Sequence, residues 1–106
     1  MVEQNTLDSL FMALADSTRR NILGRVAATE MSVGEIAKHY KLTFAAVSKH
    51  IKVLERANLI TKRRRGKEQV VIIVPATLSV AREQIEHYAH MWADRFDQLE
   101  TLLKEG

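Results

Sequence analysis

Ten of the chain's sixteen lysines and arginines fall between residues 38 and 67: Lys38, Lys41, Lys49, Lys52, Arg56, Lys62, Arg63, Arg64, Arg65 and Lys67. Glu55 is the single acid among them, so this stretch carries +9, whereas residues 1–37 sum to −2 and residues 68–106 to −4. A merely solvated surface intersperses both signs. Cations segregated in this way do non-covalent chemistry, the neutralisation of a polyanion such as a phosphate backbone.

Covalent chemistry finds little to work with. Ser48 and His50 are two apart, and on a helix their side chains diverge by about 200°, too far for a nucleophile–base pair. The absence of cysteine removes disulfides, thiolate metal sites and cysteine nucleophiles. There is no glycine-rich phosphate loop, and no enzyme is expected. Glu83, His87 and His90 share one helix face at i, i+4 and i+7, a spacing able to hold a divalent ion weakly. A solvated polar face is the commoner meaning of that pattern, so neither metal nor other cofactor is expected.

The elements that position the basic block follow from periodicity. Leu7, Leu10, Phe11 and Leu14 recur at helical spacing, giving a first helix over about 4–15. Asp16 is a plausible N-cap for a second, with Ile22, Leu23 and Val26 as its buried stripe. Residues 27–31 read as a connection. Ser32-Val33-Gly34-Glu35 matches a capping box and opens a short third helix that buries Val33, Ile36 and Ala37 and stops near Tyr40. Thr43 caps a fourth helix that runs to about Ala57, where Asn58 interrupts it. Two short helices joined by so few residues form a helix-turn-helix over 32–57, although the turn lacks glycine. Leu59–Arg64 and Gln69–Val74 are strand-like, joined through Arg65-Gly66-Lys67-Glu68, so a hairpin over 59–74 follows as a wing. Pro75 ends it, and one long helix spans about 78–104. The expected fold is mainly α with a small β-hairpin, a winged helix-turn-helix in the order α-α-α-α-β-β-α, forming a single domain over 1–106.

On a helical wheel Val47, Ile51 and Leu54 of the fourth helix fall together as its core face. Ala45, Ser48, Lys49, Lys52 and Arg56 lie opposite. Short side chains in the first turn admit close approach to a major groove, so Ala45, Ser48 and Lys49 are expected near base edges. Thr43, Lys52 and Arg56 are expected on phosphates. Arg63, Arg64, Arg65 and Lys67 of the wing reach the backbone or minor groove, and a guard role for an edge strand is compatible with that. Phe44 either packs beneath the helix, the favoured reading, or touches the groove, and His50 is a boundary residue bonded to backbone in preference to a base reader.

The last helix carries Leu78, Ala81, Ile85, Tyr88, Trp92, Phe96, Leu99 and Leu103 in steps of three and four. That stripe exceeds what a three-helix core covers, so a second copy is expected against it. The dimer interface is expected to use Leu7, Leu10 and Phe11 of the first helix with Ile85, Tyr88, Trp92, Phe96, Leu99 and Leu103 of the last, in dimerisation helices over 1–15 and 78–104.

Phe11-Met12-Ala13-Leu14-Ala15-Asp16-Ser17-Thr18-Arg19-Arg20-Asn21-Ile22-Leu23 resembles the opening of the ArsR family of winged-helix repressors. Ala46-Val47-Ser48-Lys49-His50-Ile51-Lys52-Val53-Leu54-Glu55-Arg56-Ala57-Asn58-Leu59-Ile60 is similar to that family's recognition helix, and with the wing the likeness covers about residues 7–75. The resemblance implies a homodimer joined through its first and last helices that binds inverted-repeat operators in double-stranded DNA and represses transcription. Ser17 stands where the family often has proline, and Asn58 where it often has glycine. The family's cysteine metal site would fall at Ser32 and Gly34. Its second site needs ligands where Val74 and Ala76 stand, with His87 and His90 able to supply only the other half. A cysteine-free, metal-independent repressor is therefore expected, with its effector unassigned.

Two other readings compete: a winged-helix protein-interaction module without DNA binding, and a metal-responsive repressor using Glu83, His87 and His90. The basic block opposes the first, because protein interfaces deplete lysine at their centres. No apolar run approaches a membrane span, and the N-terminus lacks a secretory signal's pattern. No membrane partner and a cytoplasmic location are expected.

Overall fold

The computed structural model describes residues 4–105. Its elements run α1 (Gln4–Leu14), α2 (Ser17–Ala28), β1 (Met31–Ser32), α3 (Val33–Ala37), α4 (Phe44–Arg56), β2 (Ile60–Arg65), β3 (Glu68–Ile73) and α5 (Pro75–Glu105). Residues 1–3 and 106, which belong to the expected single domain and its first dimerisation segment, lie outside the described residues.

Local chemistry sets most boundaries. Asp16 caps α2 by accepting from the Arg19 N–H at 3.0 Å. Ser32 and Glu35 form the reciprocal capping box of α3, with Ser32 Oγ accepting from the Glu35 N–H at 3.1 Å and Glu35 Oε1 accepting from the Ser32 N–H at 3.2 Å. Thr43 caps α4 through the Ala46 N–H at 3.1 Å. After α4 the chain turns at Asn58, whose φ of 62° is left-handed, a conformation its short amide side chain tolerates. Gly66, at φ 63°, holds the first position of the two-residue wing loop, where type II′ hairpins carry glycine.

The core forms where the inner faces of the first four helices meet the base of the sheet. Leu10, Ala13, Ile22, Ile36, Val47, Ile51, Leu54, Leu59 and Val71 are all 0–1% exposed. Of the apolar residues expected to bury on α3, Ile36 does so completely, while Val33 and Ala37 are half-buried. The short α3 is too small to hide more than one side.

Two features depart from the expected order. The connection before α3 contains a strand, β1, which pairs antiparallel with β3 through Met31↔Val71 and Ser32↔Val70. The sheet therefore has three strands in the order β1-β3-β2, and β3 is its centre rather than one arm of a free hairpin. Central position explains why the most β-prone stretch, Val70 to Ile73, lies here: Val70 and Val71 are both 0% exposed. Second, Pro75 opens α5 rather than only closing the strand, since proline is pre-organised for the first helical position and has no N–H to leave unpaired.

The 31 residues of α5 make a rod of about 46 Å. Ala81 is its one buried residue, and Leu78 and Val80 also pack on the core. Beyond these first turns the helix leaves the domain. The radius of gyration is 18.6 Å, whereas a compact chain of this length would have about 13 Å.

Candidate nucleic-acid interface

The candidate recognition helix is α4. Val47, Ile51 and Leu54, 0–1% exposed, fix it to the core. Fixing that stripe turns Ala45, Lys49, Lys52 and Arg56 outward; all four are exposed, and Ser48 is half-buried at the edge. Thr43, also exposed, uses its hydroxyl oxygen to accept the cap hydrogen bond. Among the described residues no carboxylate lies within ion-pair distance of Lys49, Lys52 or Lys67. These cations are unneutralised on the exposed surface.

The wing bases are differently placed. Arg63 pairs with Glu30 at 3.8 Å, and Arg65 lies 3.9 Å from Glu35 and 3.5 Å from Glu68. Lys62, only 24% exposed at its side chain, reaches 3.3 Å from Glu55 and ties the hairpin to α4. Arg64 Nε donates to the Gly66 carbonyl at 3.0 Å, which stiffens the loop. The register Lys62↔Val71, Arg63↔Val70, Arg64↔Gln69 and Arg65↔Glu68 puts Arg63 and Arg65 on one face and Lys62 and Arg64 on the other. Between wing, α3 and α4 lies an open cleft of about 440 Å³, lined in part by Phe44, Ser48, Lys52, Lys62 and Lys67.

Two arginine clusters hold this face in position, and neither was legible in the chain's patterning. Arg19 donates from Nε to the Ala13 carbonyl at 2.7 Å and from Nη2 to the Met12 carbonyl at 2.9 Å, while Arg20 donates to the Leu14 carbonyl at 2.8 Å. Both therefore satisfy carbonyls left open at the C-terminus of α1. Arg19 Nη1 also lies 3.3 Å from His50 Nδ1, joining that end of α1 to α4. His50 is thus half-buried as expected, but its partners are the Arg19 and Asp16 side chains rather than backbone. The second cluster braces the glycine-free turn between α3 and α4, in which no residue takes a positive φ. Arg25 stacks 5.6 Å from the Tyr40 ring and bonds Asn21 Oδ1 at 3.1 Å and His39 Nδ1 at 3.2 Å, while the Tyr40 hydroxyl donates to Asn21. The turn between α3 and α4 is thereby stapled to α2 from outside.

Two carboxyls titrate below their ordinary range. Asp16 is lowered chiefly by the Arg19 backbone N–H, and Glu35 chiefly by the Ser32 backbone N–H and then by the Ser32 hydroxyl. Both are helix-capping acids whose ionised form accepts the bond.

Several expected placements are corrected. Phe44 does not pack beneath α4: it is 59% exposed at the first position of the helix, because Val47 and Ile51 already fill the core below it. Leu7 and Leu10 are 5% and 1% exposed within the protomer, so their surface is spent on its own core and is not available to a second chain. Phe11 is half-buried, and Met12, 67% exposed, is the large apolar residue that α1 presents outward. On α5 the stripe is open as expected. Ile85, Tyr88, Trp92, Phe96, Leu99 and Leu103 are 50–73% exposed, joined by Met91 and Leu102. Trp92 and Phe96 stack at 6.0 Å between ring centroids. Glu83, His87 and His90 do not assemble into a site: among the described residues no three potential ligands are grouped to hold a metal ion. No helix of the described residues is long and apolar enough to cross a membrane.

A helix-turn-helix domain family matches residues 14–63, which span the end of α1 to the start of the wing. The chain is 37% identical over 81 residues to the HTH-type transcriptional regulator Rv2034 of Mycobacterium tuberculosis, covering 76% of each. It is 33% identical over 60 residues to the transcriptional repressor SdpR of Bacillus subtilis, covering 57% of this chain and 67% of that one. A crystal structure of an ArsR family transcriptional regulator superposes with a TM-score of 0.81 at 27% identity, over 87% of this chain and 95% of that one.

Proposed function

The chain belongs to the ArsR family of winged helix-turn-helix transcriptional regulators, and we propose that it acts as a homodimeric, metal-independent repressor at an inverted-repeat operator. As a DNA-binding regulator it is not an enzyme. The observation that carries the proposal is the pair of unneutralised, exposed lysines on the outer side of α4, Lys49 and Lys52, beside a cation-rich wing, with Lys52, Lys62 and Lys67 lining one open cleft between the two. Ala45, Ser48 and Lys49 face base edges, and Thr43, Lys52 and Arg56 meet phosphates. Arg63, Arg64, Arg65 and Lys67 extend those contacts along the backbone.

The open stripe of α5 supports the dimer. Aromatic side chains bury 150–250 Å² each, so Tyr88, Trp92 and Phe96, half to three-fifths exposed, leave on the order of 300 Å² uncovered before any aliphatic neighbour is counted. A monomer's largest patch is about that size in total. A second copy of α5 presents the same residues, and the two-fold relation it creates matches an inverted repeat. Repression follows the sense of SdpR's name, and the site lies in the cytoplasm, where chromosomal DNA is accessible. One domain over 1–106 contains both functions.

Selection of bound sequences from a random DNA pool tests the proposal. A palindromic consensus is the expected result, with two half-sites one helical turn or a multiple of it apart. A pool that enriches no sequence at moderate salt refutes it.

A further inference from the structure

Phe44 is the feature that the electrostatic account leaves unused. It opens α4, it is 59% exposed, and it stands on the most cationic surface of the protein. An exposed apolar patch among lysines calls for an explanation that the charges themselves do not supply. Its own core does not need it, since Val47 and Ile51 behind it are already 0% and 1% exposed. Leu42, on the other side of the capping Thr43, is 44% exposed, so the leading end of α4 is an apolar tip.

Helical spacing places that tip. Phe44, Ser48 and Lys52 are one turn apart along one edge of α4, and all three line the cleft facing the wing. From the N-terminus outward this edge offers a ring, a hydroxyl and a cation. A recognition helix enters the major groove N-terminus first, so the ring leads and Lys52 trails toward the backbone. A phenyl ring has no donor for a phosphate. The apolar group exposed on the major-groove floor is the thymine 5-methyl.

We infer that Phe44 is a specificity-determining residue, its ring covering the 5-methyl group of one thymine in each operator half-site. The inference rests on the DNA-binding mode proposed above and assigns one base position within it. Phe44 selects thymine over cytosine at that position, and the contact is shape-based, so it is nearly independent of salt.

The experiment uses the full chain and the DNA sequence it selects from a random pool. Each thymine is replaced singly by deoxyuridine, which removes only the methyl, and affinity is measured by fluorescence anisotropy for the wild type and Phe44→Ala. At the usual worth of a buried methyl, one uracil position per half-site should weaken wild-type binding by roughly fourfold. The same replacement should leave Phe44→Ala binding unchanged. If Phe44→Ala binds too weakly to measure, Phe44→Leu should give the same cycle with a smaller coupling. Uracil effects that persist undiminished in the variant, or no methyl-sensitive thymine at all, overturn the assignment while leaving DNA binding intact. A wild type that selects no sequence removes the DNA-binding mode itself and the assignment with it.

Discussion

Replacing Phe96 by alanine tests the dimer where its energetics can be worked out. A phenylalanine ring buries roughly 200 Å² when fully covered. Phe96 is 61% exposed in the protomer, which leaves about 120 Å² to be covered by a partner. At ~25 cal/mol per Å² complete coverage would stabilise by about 3 kcal/mol. Interfaces rarely cover a ring completely and area overstates affinity, so half of this, about 1.5 kcal/mol per protomer, is the realistic loss. Two-fold symmetry counts the loss twice, giving about 3 kcal/mol and a roughly 150-fold weaker dimer. The chain carries its own reporter, because Trp92 is its only tryptophan and stacks 6.0 Å from Phe96. Trp92 emission should shift to longer wavelength as wild-type protein is diluted through its dissociation constant, and Phe96→Ala should move that midpoint to about 150-fold higher concentration. Emission that never changes on dilution while sedimentation reports one species, or a midpoint unmoved by Phe96→Ala, would refute the assignment of this face to the dimer.

Removing three bases at the tip of the wing together, Arg64→Ala, Arg65→Ala and Lys67→Ala, takes up to six cations from the dimer. Binding measured between 50 and 300 mM salt should show a log–log slope of roughly −5 or steeper for the wild type, flattened by about 3 to 5 in the variant; an unchanged slope would place the wing off the DNA. Ser32→Ala breaks the capping box of α3 and should cost about 1 kcal/mol, a fall of about 4–8 °C in Tm, while a Tm unaltered in calorimetry would show the cap to be idle. Acid should destabilise the fold through Asp16 and Glu35. Both carboxyls titrate below their ordinary values in the folded chain, so the unfolded chain binds protons first as pH drops. Their stabilisation is complete above the ordinary carboxylate pKa and is lost as pH falls through the depressed folded values. The urea midpoint of a Asp16→Asn, Glu35→Gln double variant should therefore decline less steeply below about pH 4.5 than that of the wild type; parallel declines would rule these two groups out.

What was legible in the sequence was what local chemistry decides. Asp16, Ser32 with Glu35, and Thr43 announce their helices because a capping side chain bonds within three residues of itself. Asn58 and Gly66 mark the two left-handed turns for equally local reasons. The misses are non-local. β1 is two residues long and has no periodicity; only its pairing with β3, some forty residues away, makes it a strand. The stripe of Leu7 and Leu10 shows that a face is buried and not by what, so core and interface look alike in the sequence. The outward-facing set of α4 was readable because the helix's core stripe fixes its opposite side. Arg19 and Arg20 escaped because a charge count treats them as surface, whereas the tight turn between α1 and α2 directs both guanidinium groups onto the carbonyls of α1.

The carboxylates around the wing bear on how that face meets a phosphate backbone. Glu30, Glu35 and Glu68 hold Arg63 and Arg65 at 3.5–3.9 Å with all partners about half exposed. Pairs of that kind contribute about 0–1 kcal/mol each. They are strong enough to bias long side chains toward one region and weak enough for a phosphate, with its fuller charge and several acceptor oxygens, to displace. In the proposed binding mode Lys49, Lys52 and Lys67, without such partners among the described residues, provide the first long-range attraction. The half-buried brace Lys62–Glu55 differs from the others in tying the wing to α4 itself. It keeps the wing and α4 in one fixed relation, which the proposed binding mode requires if the wing's cations and the first turn of α4 are to engage the same stretch of duplex together.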